Sequence, residues 1–353
     1  MRRTSTSDGP AAITRILVLA PNWLGDAAMC TPALRALRRR FPDAEITVAA
    51  RRAVCDLLDG LPHVTRCVTM PPRPALHEMT RLARALRPHA RDLAVIFPHS
   101  FRAALLARLA GAQLRLGYAR GGRTPLLTHP VPPYCEDGHI TPVYMAREYL
   151  DLLEPLGCQD NDAGLELHAD PDAVAEVRLA LGDAAPVIGV APGAAFGPSK
   201  RWPVECYAEV MNRLAAEVGA RFLVLTGPDE ADVRAALTKQ TCAPIIDGPF
   251  RASGVALLKA LISQADLLLC NDTGPRHVAV ALKKPVVCIM GPTSPRYTES
   301  PWERGCVLRV EVDCGPCQKP TCNTDHRCMT RIDVESVIEA VLAHLPARSG
   351  HMT

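Results

Sequence analysis

Ile16-Leu17-Val18-Leu19-Ala20-Pro21-Asn22-Trp23-Leu24-Gly25-Asp26 runs from an unbroken apolar segment into a turn, and a helical period follows from Ala27. Apolar residues at consecutive positions mark a strand covered on both faces, as strands of parallel sheets are. Leu93-Ala94-Val95-Ile96 repeats the pattern. Around these runs the first half alternates, with strands expected at 15–20, 45–50, 93–97 and 114–118 and helices at 27–40, 79–86 and 101–109. That order predicts βαβ units around a parallel sheet. A basic Gly/Pro-rich stretch at 120–136, a helical period at 144–156 and a polar stretch at 159–170 interrupt it. The alternation then restarts, with strands at 187–191, 221–226, 265–270 and 286–290 and helices at 204–218, 229–237, 253–264 and 274–282. The expected class is α/β, two facing Rossmann-like domains with parallel sheets. They are placed at 13–175 and 186–353, the boundary falling between Asp170 and Pro186. Residues 1–12 read as a disordered leader, and no repeat of solenoid length is present.

A chain of 353 residues suits two such domains. With 48% hydrophobic and 22% charged residues the composition is that of a packed enzyme. A net charge of +3 and an aromatic share of 4% argue against bulk nucleic-acid binding, so any polyanion site must be local. No apolar run approaches the roughly 18 residues of a spanning helix, and the first residues lack the apolar core of a secretory signal. A cytoplasmic protein without a transmembrane segment is expected.

Chemistry is expected at the strand-to-helix turns, where open α/β sheets bind ligands. Asp26 opens a helix, and by position alone it reads as a helix cap; the functional alternative is a carboxylate aimed into the cleft to take a proton from a hydroxyl. The helix dipole should keep it ionised. The turn lacks the G-x-G-x-x-G spacing of a dinucleotide site. In the second half, Pro192-Gly193-Ala194-Ala195-Phe196-Gly197-Pro198-Ser199-Lys200-Arg201-Trp202-Pro203 combines glycines and cations before a helix, a phosphate cradle in which Lys200 would neutralise a departing diphosphate. Thr226-Gly227-Pro228-Asp229-Glu230 offers Glu230 to ribose hydroxyls. In Cys270-Asn271-Asp272-Thr273-Gly274-Pro275-Arg276-His277, Asp272 or Thr273 caps the helix, Gly274 exposes N–H groups to an anion, and His277 lies on the same turn. Each motif is weak alone. Together they mark successive strand ends of one half-sheet and converge on one edge. Gly291-Pro292-Thr293-Ser294-Pro295 adds hydroxyls at the next strand end.

Taken together, these loops resemble the ADP-heptose:lipopolysaccharide heptosyltransferases, glycosyltransferase family 9, over roughly 16–342. The resemblance implies the GT-B fold and inverting transfer of a heptose from ADP-heptose to the lipopolysaccharide inner core. It implies Asp26 as catalytic base, Lys200 on the donor phosphates, Glu230 on ribose, and Asp272, Thr273, Gly274 and His277 around the pyrophosphate and sugar. The first domain would bind the acidic acceptor at the membrane surface, with Arg102, Arg120 and Arg123 as candidates, and the protein would lie at the inner face of the cytoplasmic membrane. The last helix is expected to pack back on the first domain. No cofactor is required in this reading. Pro275-Arg276 departs from the small or apolar residues that relatives often carry before the histidine.

Ten of the fourteen cysteines are scattered through expected strands and helices. The other four, Cys314-x2-Cys317-x4-Cys322-x5-Cys328, have a spacing that could supply thiolates to a structural metal, although only one C-x2-C knuckle is present. Two rival functions remain open: a GT-B transferase or epimerase using another nucleotide sugar, and a nucleotide-sugar-binding protein without turnover.

Overall fold

The computed structural model describes residues 13–72, 75–182, 185–248 and 250–346; the expected leader at 1–12 lies outside them. The first unit comprises β1 (Arg15–Leu19), α1 (Leu24–Met29), α2 (Thr31–Arg40), β2 (Glu45–Ala50), α3 (Arg52–Leu58), β3 (Arg66–Thr69), α4 (Leu76–Leu86), β4 (Leu93–Ile96), α5 (Phe101–Leu109), β5 (Leu114–Tyr118) and β6 (His129–Val131). A hairpin of β7 (Cys135–Glu136) and β8 (His139–Ile140) then leads to α6 (Met145–Asp151). The second unit holds α7 (Pro171–Leu181), β9 (Val187–Ala191), α8 (Val204–Val218), β10 (Arg221–Val224), α9 (Ala231–Gln240), α10 (Gly254–Gln264), β11 (Leu267–Asn271), α11 (Gly274–Ala281), β12 (Val286–Ile289), β13 (Gly305–Leu308), α12 (Arg327–Thr330) and α13 (Val334–His344).

The sheets run β3-β2-β1-β4-β5-β6 and β10-β9-β11-β12-β13, and every strand pair in them is parallel. This is the expected pair of Rossmann-like units. The order reverses between β1 and β4 in one sheet and between β9 and β11 in the other. Those reversals open a crevice at the carboxyl ends of the strands, so the loops after β1, β4, β9 and β11 are the ones positioned to hold ligands. The apolar runs explain the layering. Leu17 and Leu19 face the helices α4 and α5, whereas Ile16 and Val18 face a core that continues into the second unit. The units meet where α1 packs on α11 and α3 on α10. Lys259 of α10 reinforces this seam by donating to the carbonyls of Leu57 and Asp59 at 3.1 and 3.3 Å.

Two expectations need correction. The helix expected at 27–40 is two helices meeting at Cys30, with Pro32 in the first turn of the second. Proline has no N–H and its ring crowds the preceding turn, so the first helix stops before it. The last described helix, α13, does not return to the first unit: Val337, Ile338 and Val341 are buried in the second core, against α8 and β11–β13. Its apolar stripe lies beside α8 on the same face of the second sheet and covers the part over β11–β13.

Candidate active site

Asp26 sits in the first turn of α1, but the N-cap position belongs to Trp23, which is exposed. Asp26 therefore does not cap its helix. Its half-buried carboxylate makes no hydrogen bond or ion pair with any described residue. Burial pushes its pKa up from 3.8 to about 6, against the opposing charges of Lys200 and His99 and with further upward pressure from Glu148 and Asp272. Desolvation thus outweighs the helix dipole, which alone would have lowered the value. Roughly nine-tenths of the groups are still ionised at neutral pH, as a base requires.

Glycine makes this position possible. A Cβ on Gly25 would lie 2.8 Å from Cδ2 of His277 and 3.5 Å from Cα of Gly274, and one on Gly274 would lie 3.2 Å from Cβ of Leu24. The two helix N-termini, one from each unit, approach to backbone contact. Asp26 consequently stands beside the turn that carries Thr273, Gly274 and His277.

The second unit builds a charged cradle around Asp272, which is 3% exposed. Lys200 donates to Oδ2 at 2.6 Å and to the main-chain carbonyl of Asp272 at 3.0 Å. Thr293 donates to Oδ2 at 2.8 Å, and Arg276 to Oδ1 at 3.0 Å. Burial alone would raise the pKa of Asp272, but Lys200 and Arg276 overcome it and hold the carboxyl well below the usual range. His277 is pushed down to about 3 by burial and by Arg276, so its ring is neutral; its Nδ1 has no partner among the described residues. Thr273 takes the N-cap position of α11 with no side-chain capping bond, leaving the first N–H groups of that helix unclaimed by its side chain.

The loop bearing Lys200 is anchored from β11. Asn271, wholly buried, donates to the carbonyls of Pro192 and Gly193 at 2.7 and 3.2 Å and accepts from the Trp202 N–H and the Tyr207 hydroxyl. Glu230 reaches the same edge. Its carboxylate accepts from the Gly227 N–H at 2.8 Å and fills the space that a Cβ on Gly193 would need, 2.1 Å away.

On the first unit, the loop after β4 brings His99, whose Nε2 lies 2.9 Å from Oε1 of the buried Glu148. Arg120 stands 3.6 Å from the same oxygen. These three, with Tyr134 and with Tyr297 of the second unit, line a cavity of ≈ 140 Å³. His99 and Glu148 were not singled out in the sequence. His99 follows an apolar strand by the same logic that marked Asp26, whereas Glu148 is read as an ordinary helical acid until the fold places it. Arg102 is exposed on α5. Arg123 is a different case: it has no exposed surface, and its guanidinium holds the carbonyls of Tyr118 and Pro98. It braces the loop that carries Arg120 and does not present a charge to solvent.

The four clustered cysteines are free thiols, graded from exposed Cys314 to buried Cys328, and they line a cavity of ≈ 90 Å³. Among the described residues no group of three or more His, Cys, Asp or Glu is arranged to hold a metal ion. The segment docks on the loop bearing Lys200: Ser199 donates to the carbonyl of Lys319 at 2.5 Å, and His326 Nε2 lies 2.7 Å from the carbonyl of Ser199. It supports the loop that positions Lys200.

Comparison with known proteins agrees with this geometry. Residues 79–327 match the glycosyltransferase family 9 (heptosyltransferase) profile. Lipopolysaccharide heptosyltransferase 2 of Escherichia coli K12 is 31% identical over 313 residues, covering 84% of this chain and 88% of that protein. The solved E. coli ADP-heptose LPS heptosyltransferase II superposes with a TM-score of 0.75 at 28% identity, over 94% of this chain and 98% of that one. A family 9 glycosyl transferase from Veillonella parvula DSM 2008 superposes with a TM-score of 0.80 at 22% identity, over 94% and 97%. With crevice, charged cradle and profile in agreement, the chain belongs to glycosyltransferase family 9, the heptosyltransferase family.

Proposed function

We propose that the chain is an inverting glycosyltransferase that moves a heptose from ADP-heptose to the lipopolysaccharide inner core. The observation that carries this reading is Asp26: a half-buried carboxylate with no hydrogen-bond or ion-pair partner among the described residues, facing the cationic cradle of the other unit. In the reaction, Asp26 takes the proton of an acceptor hydroxyl. The freed oxygen bonds to the anomeric carbon as the bond to the diphosphate oxygen breaks on the opposite face. Lys200 and the N–H groups around Thr273 and Gly274 stabilise the charge on the leaving ADP, Asp272 positions Lys200, neutral His277 lines the sugar pocket and Glu230 binds ribose. The cradle provides this charge compensation without a divalent ion. The first unit binds the acceptor and the second the donor, so product release requires the seam between α1 and α11 to open.

The acceptor enters by the first unit, where Arg120 and His99 line the cavity. A peripheral position at an anionic lipid surface is supported by the outer face of that unit. There α4 and α5 pack together and expose Arg81, Arg84, Arg102 and Arg108 beside Phe101 and Leu109. No described helix is long and apolar enough to cross a membrane. The direct test is purified protein with ADP-heptose and an inner-core acceptor. ADP and heptosylated product should form equally with and without EDTA; absence of transfer, or full loss with EDTA and rescue by magnesium, would contradict the proposal.

A further inference from the structure

Arg276 is an unusual residue to find in this cradle. It is wholly buried at the start of α11, in a place where an unpaired guanidinium would be strongly unfavourable. Nη1 and Nε of its fork are hydrogen-bonded, whereas Nη2 completes no hydrogen bond among the described residues and is held only by its ion pair. Nη1 donates to Asp272 Oδ1 at 3.0 Å and to the Thr298 hydroxyl at 3.2 Å. Nε donates to both oxygens of Glu303 at 3.0 and 3.1 Å, and Nη2 lies 2.9 Å from Glu303 Oε2. Asp272 is thereby shared between two cations, with Arg276 on one oxygen and Lys200 on the other.

We infer that Arg276 is a positioning residue for donor binding: it fixes the carboxylate of Asp272 so that Lys200 is held toward the diphosphate, and it takes enough of that carboxylate's charge to leave the ammonium available. The inference rests on the reading of Lys200 as the donor cation. The reasoning is geometric and electrostatic. A planar fork locked by Glu303 and Thr298 allows one orientation of the Asp272 carboxylate, and that orientation presents Oδ2 to Lys200. Thr293 holds the same oxygen from the next loop. Without Arg276 the carboxylate would be held only at Oδ2, by Thr293 and Lys200, and its full charge would fall on Lys200, which must release it to meet a phosphate. The bond from Arg276 to Asp272 also spans the turn bearing Thr273 and Gly274, so the same clamp sets the direction of the first helical N–H groups.

The test is ADP binding by calorimetry on the full chain, together with donor KM and kcat. Arg276→Met should raise the ADP dissociation constant and the donor KM about tenfold, as expected for loss of a charge-assisted bond, with a smaller change in kcat. Because that variant leaves Glu303 unpaired, Arg276→Met/Glu303→Leu is the companion: it restores the melting temperature while ADP affinity stays low. Recovery of wild-type affinity in the double variant would show a purely structural role and overturn the inference. In a Lys200→Ala background, Arg276→Met should add less than about twofold, since the two act through one carboxylate. A full tenfold addition would overturn the inference alone. A Lys200→Ala variant that binds ADP as wild type does would overturn the underlying reading and this one with it.

Discussion

Replacing Asp26 by asparagine keeps shape and removes only the titratable proton, so it separates the cost of the charge from its use. Lifting this carboxyl from 3.8 to about 6 amounts to a penalty of about 3 kcal/mol for ionising it in the folded protein, and the partial exposure of Asp26 makes about 1–3 kcal/mol the working range. The sign follows from the direction of the shift. The folded state holds the proton more tightly than the unfolded one, so the penalty is absent below the unfolded value, grows as pH rises between the two, and is complete above the folded value. Urea unfolding should therefore show the variant and the wild type equally stable near about pH 3, with the variant more stable by about 1–3 kcal/mol near about pH 8. Turnover should fall by roughly 10²–10⁴ with ADP affinity nearly unchanged, because the proposed base acts on the acceptor. In the wild type, kcat/KM should rise with pH around an apparent value of about 6. A stability difference that does not depend on pH, or a variant that keeps turnover within a few fold, would refute the reasoning.

Three further outcomes are expected. Lys200→Ala should weaken ADP and donor binding by roughly 10- to 100-fold, and calorimetry showing unchanged affinity would remove Lys200 from the site. Gly25→Ala places a methyl 2.8 Å from the His277 ring, with the Gly274 backbone behind it, so it should cost about 1–3 kcal/mol in unfolding experiments and depress turnover at least about tenfold; a silent substitution would mean that α1 and α11 do not meet so closely. Arg84→Glu/Arg108→Glu should abolish co-sedimentation with anionic vesicles while leaving transfer to a water-soluble acceptor intact, and equal binding to zwitterionic vesicles would contradict the proposed lipid face.

The strand-end loops were the most legible part of the molecule. Continuous apolar runs such as Ile16-Leu17-Val18-Leu19 announce parallel strands, and the polar or glycine-bearing turns after them announce ligand edges, so Asp26, Lys200 and Asp272 emerged without coordinates. Short, partly exposed elements did not: β3 has an edge strand's mixed burial, and α3 is only seven residues long. Long-range pairings were also hidden. The role of Arg123 depends on two backbone carbonyls, one of them 25 residues away in sequence, and no local pattern separates it from the surface arginines nearby. Arg276 drew notice as an oddity before the histidine, but its meaning required Glu303, which lies 27 residues further on. The position of Asp26 was visible in sequence, but the desolvation that outweighs the helix dipole arises from packing between the two units.

The central claim is that the cradle around Asp272 and the carboxylate of Asp26 act on the two sides of one sugar. A crystal structure with a non-hydrolysable ADP-heptose analogue tests it directly. The diphosphate should lie on Lys200 and the N–H groups of Thr273 and Gly274, with the anomeric carbon presenting to Asp26 the face opposite its phosphate bond. A donor bound elsewhere, or an anomeric carbon turned away from Asp26 in the closed complex, would contradict it.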